Sequence, residues 1–193
     1  MIEASAGWWL FAAGCCLLLP QKALPELVAA MALHETGHVL TILLMRGRIE
    51  RVRFGLAGIR IEVAGLGYQQ EALAALAGPV CSIAGFAVLR QSFSECAAFS
   101  LSLGIFNLLP LFPLDGGRAL RCALLLRLPP EKAEKISAAV GNGCGAALIA
   151  GAALTAVLLG SDMTAYLCAG SLLARLFLLE NRQRKVAIFA RRR

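Results

Sequence analysis

Long apolar runs separated by short charged stretches dominate the chain. Six of them, at about residues 5–20, 24–45, 72–89, 95–114, 136–160 and 163–180, approach or reach the roughly 17–25 residues that a helix needs to cross a hydrocarbon core. The texture changes between the second and the third. There Arg48-Ile-Glu-Arg-Val-Arg-Phe54 and Ile59-Arg-Ile-Glu-Val63 alternate polar and apolar residues with a partial period of two, and Gly55-Leu-Ala-Gly58 separates them. That pattern predicts a β-hairpin. The expected fold is an all-α polytopic membrane protein of about six transmembrane helices, with a β-hairpin between helices two and three.

Composition sharpens this picture. Apolar residues make up 59% and charged residues only 16% of the 193 positions, which is outside the range of an ordinary soluble domain and opposite to the signature of disorder. The first apolar run is short enough to suggest a signal peptide. No Lys or Arg precedes it, however, and Pro20-Gln-Lys-Ala23 is a poor cleavage site, so it reads as a short membrane helix. The seven cysteines (15, 16, 81, 96, 122, 144 and 168) form no CxxC pair and read as small packing residues. Gly141, Gly143, Gly145 and Gly151 in the fifth run suit close helix packing.

The basic residues test the topology independently, because Lys and Arg accumulate in cytoplasmic loops. With both termini inside, sixteen of nineteen fall on the cytoplasmic side. They lie at Arg46 to Arg60, at Arg118 to Lys135, and in the tail from Arg182 to Arg193. The net charge of +7 then sits against anionic lipid headgroups, and nucleic acid is not an expected partner. The expected organisation is a membrane domain over 1–180 followed by a basic cytoplasmic tail over 181–193.

Candidate chemistry lies inside the second run, in His34-Glu35-Thr36-Gly37-His38. Positions i and i+4 share one helix face, so both imidazoles can reach a single metal ion. Glu35 would then stand beside the water that such an ion activates. Zinc lowers the pKa of bound water from about 15.7 to about 7, and a glutamate can take and return the proton. A chance HExxH is common, but here the chain's only two histidines are both in the motif. Ionisable groups at membrane depth are expensive unless they are used.

A third ligand is available in Asn107-Leu-Leu-Pro-Leu-Phe-Pro-Leu-Asp-Gly-Gly117. Pro110 and Pro113 remove backbone donors and Gly116-Gly117 permits a turn, so this segment should be partly unwound around Asp115. Irregular backbone at membrane depth is tolerated where it lines protein or a wet cavity. His38 lies eight residues before Arg46, roughly 12 Å from the cytoplasmic boundary, and Asp115 lies three residues before Arg118. Two His, one carboxylate and a water would leave zinc four-coordinate with an open catalytic position.

With HETGH and NLLPLFPLDGG both present, in that order, the chain resembles the site-2 protease family of intramembrane zinc metalloproteases, and most of all its compact sporulation branch. The resemblance implies one catalytic Zn2+ held by His34, His38 and Asp115, with Glu35 as acid/base. It also implies that residues 1–180 form an intramembrane metalloprotease domain, and that its substrate is a membrane-tethered protein cleaved in or near its transmembrane segment. A pro-sigma-factor or other transcription-factor precursor is the leading guess, and membrane inhibitors or regulators would be partners. Asn107 matches a family Asn that assists substrate binding or the oxyanion; from the residues alone it reads equally as a helix-packing group. Leu76-Ala-Gly-Pro79 matches a third family element, but Ser82 stands where the family often has Asn, which leaves the role of that position open. Neither a PDZ-like insertion nor room for a CBS domain is evident.

Two other functions use the same residues. A catalytically silent relative would bind membrane helices without cutting them. A metal transporter would use His and Asp as an ion pathway, although repeated half-structures and further intramembrane carboxylates would be expected of it. The 48–63 hairpin is either a cytoplasmic connector or an exposed edge that pairs with unwound substrate.

Overall fold

The computed structural model describes residues 2–55 and 58–158. The chain divides into two compact units, Met1–Gly141 and Asn142–Arg193, and all candidate site residues lie in the first. The expected sixth run at 163–180 and the tail at 181–193 fall outside the described residues.

Helices α1 (Ala6–Leu18) and α2 (Ala23–Leu44) follow a short strand, β1 (Ile2–Ala4). The main chain then reverses through a tight cap. Gly47 N–H donates to the Ile42 carbonyl at 2.9 Å and Arg46 N–H to Leu43 at 3.0 Å. Arg46 itself adopts φ 60°, the left-handed position that glycine normally takes at a helix C-terminus.

That reversal launches β2 (Arg48–Gly55), which pairs antiparallel with β3 (Gly58–Ala64). The expected hairpin forms, with a register shift between Ile49 and Arg51. Its neighbour β1 was not expected: Ile2, Glu3 and Ala4 pair in parallel with Val52, Arg53 and Phe54. Three residues are too few to show a period in sequence, so only the register reveals it. The order β1-β2-β3 leaves β3 at one edge of the sheet. Ile59, Ile61 and Val63 turn one face toward Val39, Ile42, Leu66 and Ala74. Glu3, Arg51, Arg53 and Glu62 form an ion-pair ladder, with Arg53 reaching Glu3 at 3.1 Å and Glu62 at 3.2 Å. Alternation is therefore real, and it divides the strands into a core face and a charged one.

Helix α3 (Tyr68–Leu89) begins four residues earlier than the apolar run suggests, because the Gln70 side chain accepts a bond from Gly67 N–H at 3.1 Å and organises a polar first turn. Helix α4 (Ser94–Asn107) stops at Asn107, ahead of Pro110 and Pro113, and residues 108–114 are irregular as expected. Gly116 and Gly117 do not make a turn; they lie in the first turn of α5 (Asp115–Leu125). A search for long apolar runs passes over this helix because it is short and amphipathic, burying Asp115, Gly116, Gly117, Ala119 and Cys122 while Arg118 and Arg121 stay outside that set.

Helix α6 (Pro130–Leu158) also starts ahead of its apolar run, since Pro at a helix start followed by Glu-Lys-Ala-Glu-Lys is a good first turn. Arg121 of α5 holds Glu134 of α6 at 2.6 Å. Burial, reinforced by Glu71 whose carboxylate lies 3.6 Å away, pushes the Cys122 thiol up to about 11. That agrees with a packing role for this cysteine.

By length and composition, three described helices can cross a membrane: α2, α3 and the Pro130–Leu154 stretch of α6. At 1.5 Å per residue the 13 residues of α1 reach about 20 Å and the 14 of α4 about 21 Å, short of a hydrocarbon core of about 30 Å. Of the expected spans, three are thus long apolar helices among the described residues, and the shorter α4 packs against α2 and α3. Leu40, Leu43, Leu44, Val80, Val88 and Ile105 are exposed, as an apolar solvent would allow.

Candidate metal centre

The site depends first on missing side chains. A Cβ at Gly37 would lie 2.6 Å from the Ala77 carbonyl oxygen and 2.7 Å from the Cys81 Cβ. A Cβ at Gly78 would overlap the His38 ring. Bare backbone at these two positions lets α2 and α3 approach closely enough for the motif's second imidazole to lie against α3.

Asp115 arrives from the other direction. Cβ atoms at Gly116 and Gly117 would collide with the backbone of Leu108, Leu109, Leu111 and Phe112. The irregular segment therefore folds back over the start of α5, and these glycines serve close approach. This packing buries Asp115 to 7% exposure, beside His34 at 4% and His38 at 6%.

Three donor atoms converge. Asp115 Oδ2 lies 3.1 Å from His34 Nε2 and 3.1 Å from His38 Nε2, and the two nitrogens are 3.2 Å apart. A tetrahedral ion with ligand bonds of about 2.0–2.1 Å has ligand–ligand edges of about 3.3–3.4 Å. The observed triangle fits such an ion with little adjustment, and two imidazoles plus one carboxylate are a donor set that zinc accepts. Among the described residues this is the only group of three or more His, Cys, Asp or Glu that could hold a metal.

Each ligand also has an outer partner. His38 Nδ1–H donates to the Ala74 carbonyl at 2.7 Å. A carbonyl can only accept, so the neutral ring presents its Nε2 lone pair to the centre. His34 Nδ1 lies 2.9 Å from Ser82 Oγ. On the carboxylate, Arg118 Nη1 donates to Oδ1 at 3.4 Å, leaving Oδ2 toward the imidazoles. Three lone-pair atoms within 3.2 Å of one another repel unless an extra proton or a cation lies among them.

Glu35 completes the neighbourhood. Its Oε2 is buried and has no hydrogen-bond partner among the described residues, a costly state for a carboxylate oxygen unless another group is to occupy the space beside it. Asn107 is not brought into the cluster. Its Nδ2 donates to the Leu103 carbonyl at 3.0 Å within its own helix.

The structure thus joins His34, His38 and Asp115, as the sequence predicts, and places Asn107 at the last residue of α4. Sequence reasoning missed Ser82 as a partner, together with the Ala74 carbonyl and the roles of Gly37 and Gly78. The small residues of α3 carried a signal: Ala74, Gly78 and Ser82 recur every four positions and are all buried, which marks the stripe facing α2.

Residues 59–148 match the model of Peptidase family M50, a span that includes Asn107 and Asp115 and begins after HETGH. The chain is homologous to site-2 proteases, and the matched span carries this family's second motif. It is 32% identical over 142 residues to Stage IV sporulation protein FB of Bacillus subtilis, covering 67% of this chain and 49% of that protein. It is 31% identical over 129 residues to Zinc metalloprotease MJ0392 of Methanocaldococcus jannaschii, covering 60% and 38%. The chain therefore matches half or less of the length of these curated relatives. Among solved structures it resembles the Site-2 Protease from Methanocaldococcus jannaschii, with a TM-score of 0.65, 25% identity, and coverage of 88% of this chain and 86% of that one.

Proposed function

We propose that this chain is an intramembrane zinc endopeptidase that hydrolyses peptide bonds in or near the transmembrane segment of a membrane-tethered protein. The observation that carries the reading is the buried triangle of His34 Nε2, His38 Nε2 and Asp115 Oδ2 beside a Glu35 oxygen with no partner. These three atoms are the metal ligands. Zinc, when bound, supplies Lewis acidity that activates water and polarises a peptide carbonyl. Glu35 takes a proton from the attacking water and delivers it to the departing amide nitrogen.

Asn107 assists by binding the substrate or its developing oxyanion, for which its amide must turn away from the Leu103 carbonyl. Burial of the centre favours this chemistry, because polar interactions are stronger where water is scarce. The β3 edge supports the substrate-pairing reading of the hairpin: β1 covers the far side of β2, while β3 has no further strand beside it among the described residues. An extended peptide added there would have its backbone exposed for attack.

The name of the Bacillus subtilis relative and the compact motif set support a pro-sigma-factor or another membrane-held transcription-factor precursor as substrate, with membrane proteins as regulators. The apolar helices and the distribution of basic residues support an integral protein of a bacterial-type membrane. Both termini are cytoplasmic in this reading, with 1–180 as the catalytic domain and 181–193 as a basic tail.

The test is co-expression with a candidate membrane-tethered substrate, comparing wild type and Glu35→Gln for cleavage and zinc content. The variant should keep its zinc and lose about 10²–10⁴-fold in rate. Equal processing by both proteins would refute the assignment, and metal flux without cleavage would favour a transporter.

A further inference from the structure

The two imidazoles are held in different ways. His38 is oriented by main chain, because its Nδ1 partner is the Ala74 carbonyl. His34 is oriented by a side chain, Ser82 Oγ at 2.9 Å. Ser82 is 0% exposed and sits one turn beyond Pro79 in α3, so its bond is shielded from bulk water. Its Cβ also lies 3.2 Å from where a Gly104 Cβ would stand, 3.1 Å from which is the Pro79 carbonyl oxygen. Helix α4 therefore closes over the serine, which restricts the hydroxyl to the side facing His34.

We infer that Ser82 is a positioning residue of the metal centre: by accepting the His34 Nδ1 proton it fixes the tautomer and ring plane that aim Nε2 at the ion. This rests on the metal-centre reading above. The serine touches neither substrate nor reacting atoms. Its acceptor role follows from that of the ring: an imidazole that offers its Nε2 lone pair to an ion carries its proton on Nδ1, and Ser82 Oγ is the atom that faces it. The arrangement matches the general use of outer partners, which fix the tautomer of a ligating histidine and raise its basicity. One arm of the site is thus written in backbone and insensitive to side-chain change, while the other is adjustable through a single hydroxyl.

A matched control lies in the same helix bundle. Ser100 of α4 is also 0% exposed, and its Oγ has no hydrogen-bond partner among the described residues. Ser82→Ala and Ser100→Ala remove the same atom from equally buried positions, but only the first hydroxyl contacts a metal ligand.

The experiment measures the Zn2+ dissociation constant of the purified protein in detergent by chelator competition for wild type, Ser82→Ala and Ser100→Ala. Thermal unfolding of the chelated forms is followed in parallel. Ser82→Ala should weaken zinc about 10–100-fold, with the chelated form unfolding as wild type does, and kcat at saturating zinc should fall with KM unchanged. Ser100→Ala should bind zinc as wild type. A Ser82→Ala constant within twofold of wild type would overturn the inference, as would equal weakening in both variants, which would mark the effect as packing. Failure of wild type itself to bind zinc would instead sink the metal-centre reading.

Discussion

The helical centre and the three-stranded sheet lie in the same compact unit and are built on opposite principles. Around His34, His38 and Asp115 almost nothing can be added: four glycines meet backbone or ring atoms where a Cβ would stand, and every ligand has a named outer partner. On the sheet, one face is packed and the other carries half-exposed charges joined in a ladder, while β3 keeps an edge without a strand beside it. On the proposed reading the contrast has a reason: catalytic groups need fixed geometry, whereas a surface that accepts many peptide sequences needs backbone donors and little side-chain specificity. The difference predicts that mutations in the two regions will fail in different ways.

The largest effect should come from closing the gap between α2 and α3. Gly78→Ala forces a methyl group into the His38 ring, and overpacking of this kind costs about 1–3 kcal/mol. Zinc content and cleavage should fall together, to near background. A variant that retains stoichiometric zinc would show that the helices can separate without losing the site.

Breaking the sheet edge should separate the two properties. Arg60→Pro introduces a residue without a backbone donor into β3, and losing one substrate bond worth about 1 kcal/mol corresponds to roughly a fivefold fall in kcat/KM. Zinc content should stay at the wild-type value. Unchanged turnover would remove the pairing role and leave the hairpin a connector.

The smallest effect should appear where the two regions join. Arg46 occupies the left-handed position at the end of α2, which disfavours a residue with a Cβ by about 1 kcal/mol. Arg46→Gly should raise stability by about 0.5–1 kcal/mol, read as a small rise in Tm, with cleavage unaltered. A fall in Tm would mean that the arginine side chain contributes more than its backbone costs.

How much of this was legible beforehand follows the same division. HETGH pointed to two side chains that the structure brings together, because helical spacing is a local rule. Asp115 could be found because acidic groups within apolar segments are few. The hairpin showed through its alternation. What stayed hidden depends on contacts distant in sequence: Ser82 lies 48 residues from His34, and β1 meets β2 about 50 residues away. Helix α5 was missed for another reason, since a search for membrane-length apolar runs does not register an 11-residue amphipathic helix. The glycines of LDGG suggested a turn because glycine often marks one. Here they answer to the backbone of 108–112 folded against them, which no local pattern encodes.

The separation of the ligands along the chain has a consequence for endurance. His38 and Asp115 are 77 residues apart, so an ion shared between them ties the chain into a closed loop that contains β2, β3, α3 and α4. For a cross-link of that length, polymer theory gives up to about 4–5 kcal/mol from the entropy removed from the unfolded chain, less for a chain already threaded through a bilayer. The ion is then a staple as well as a reagent. Chelation would then make the protein easier to unfold, apart from any effect on the proposed activity.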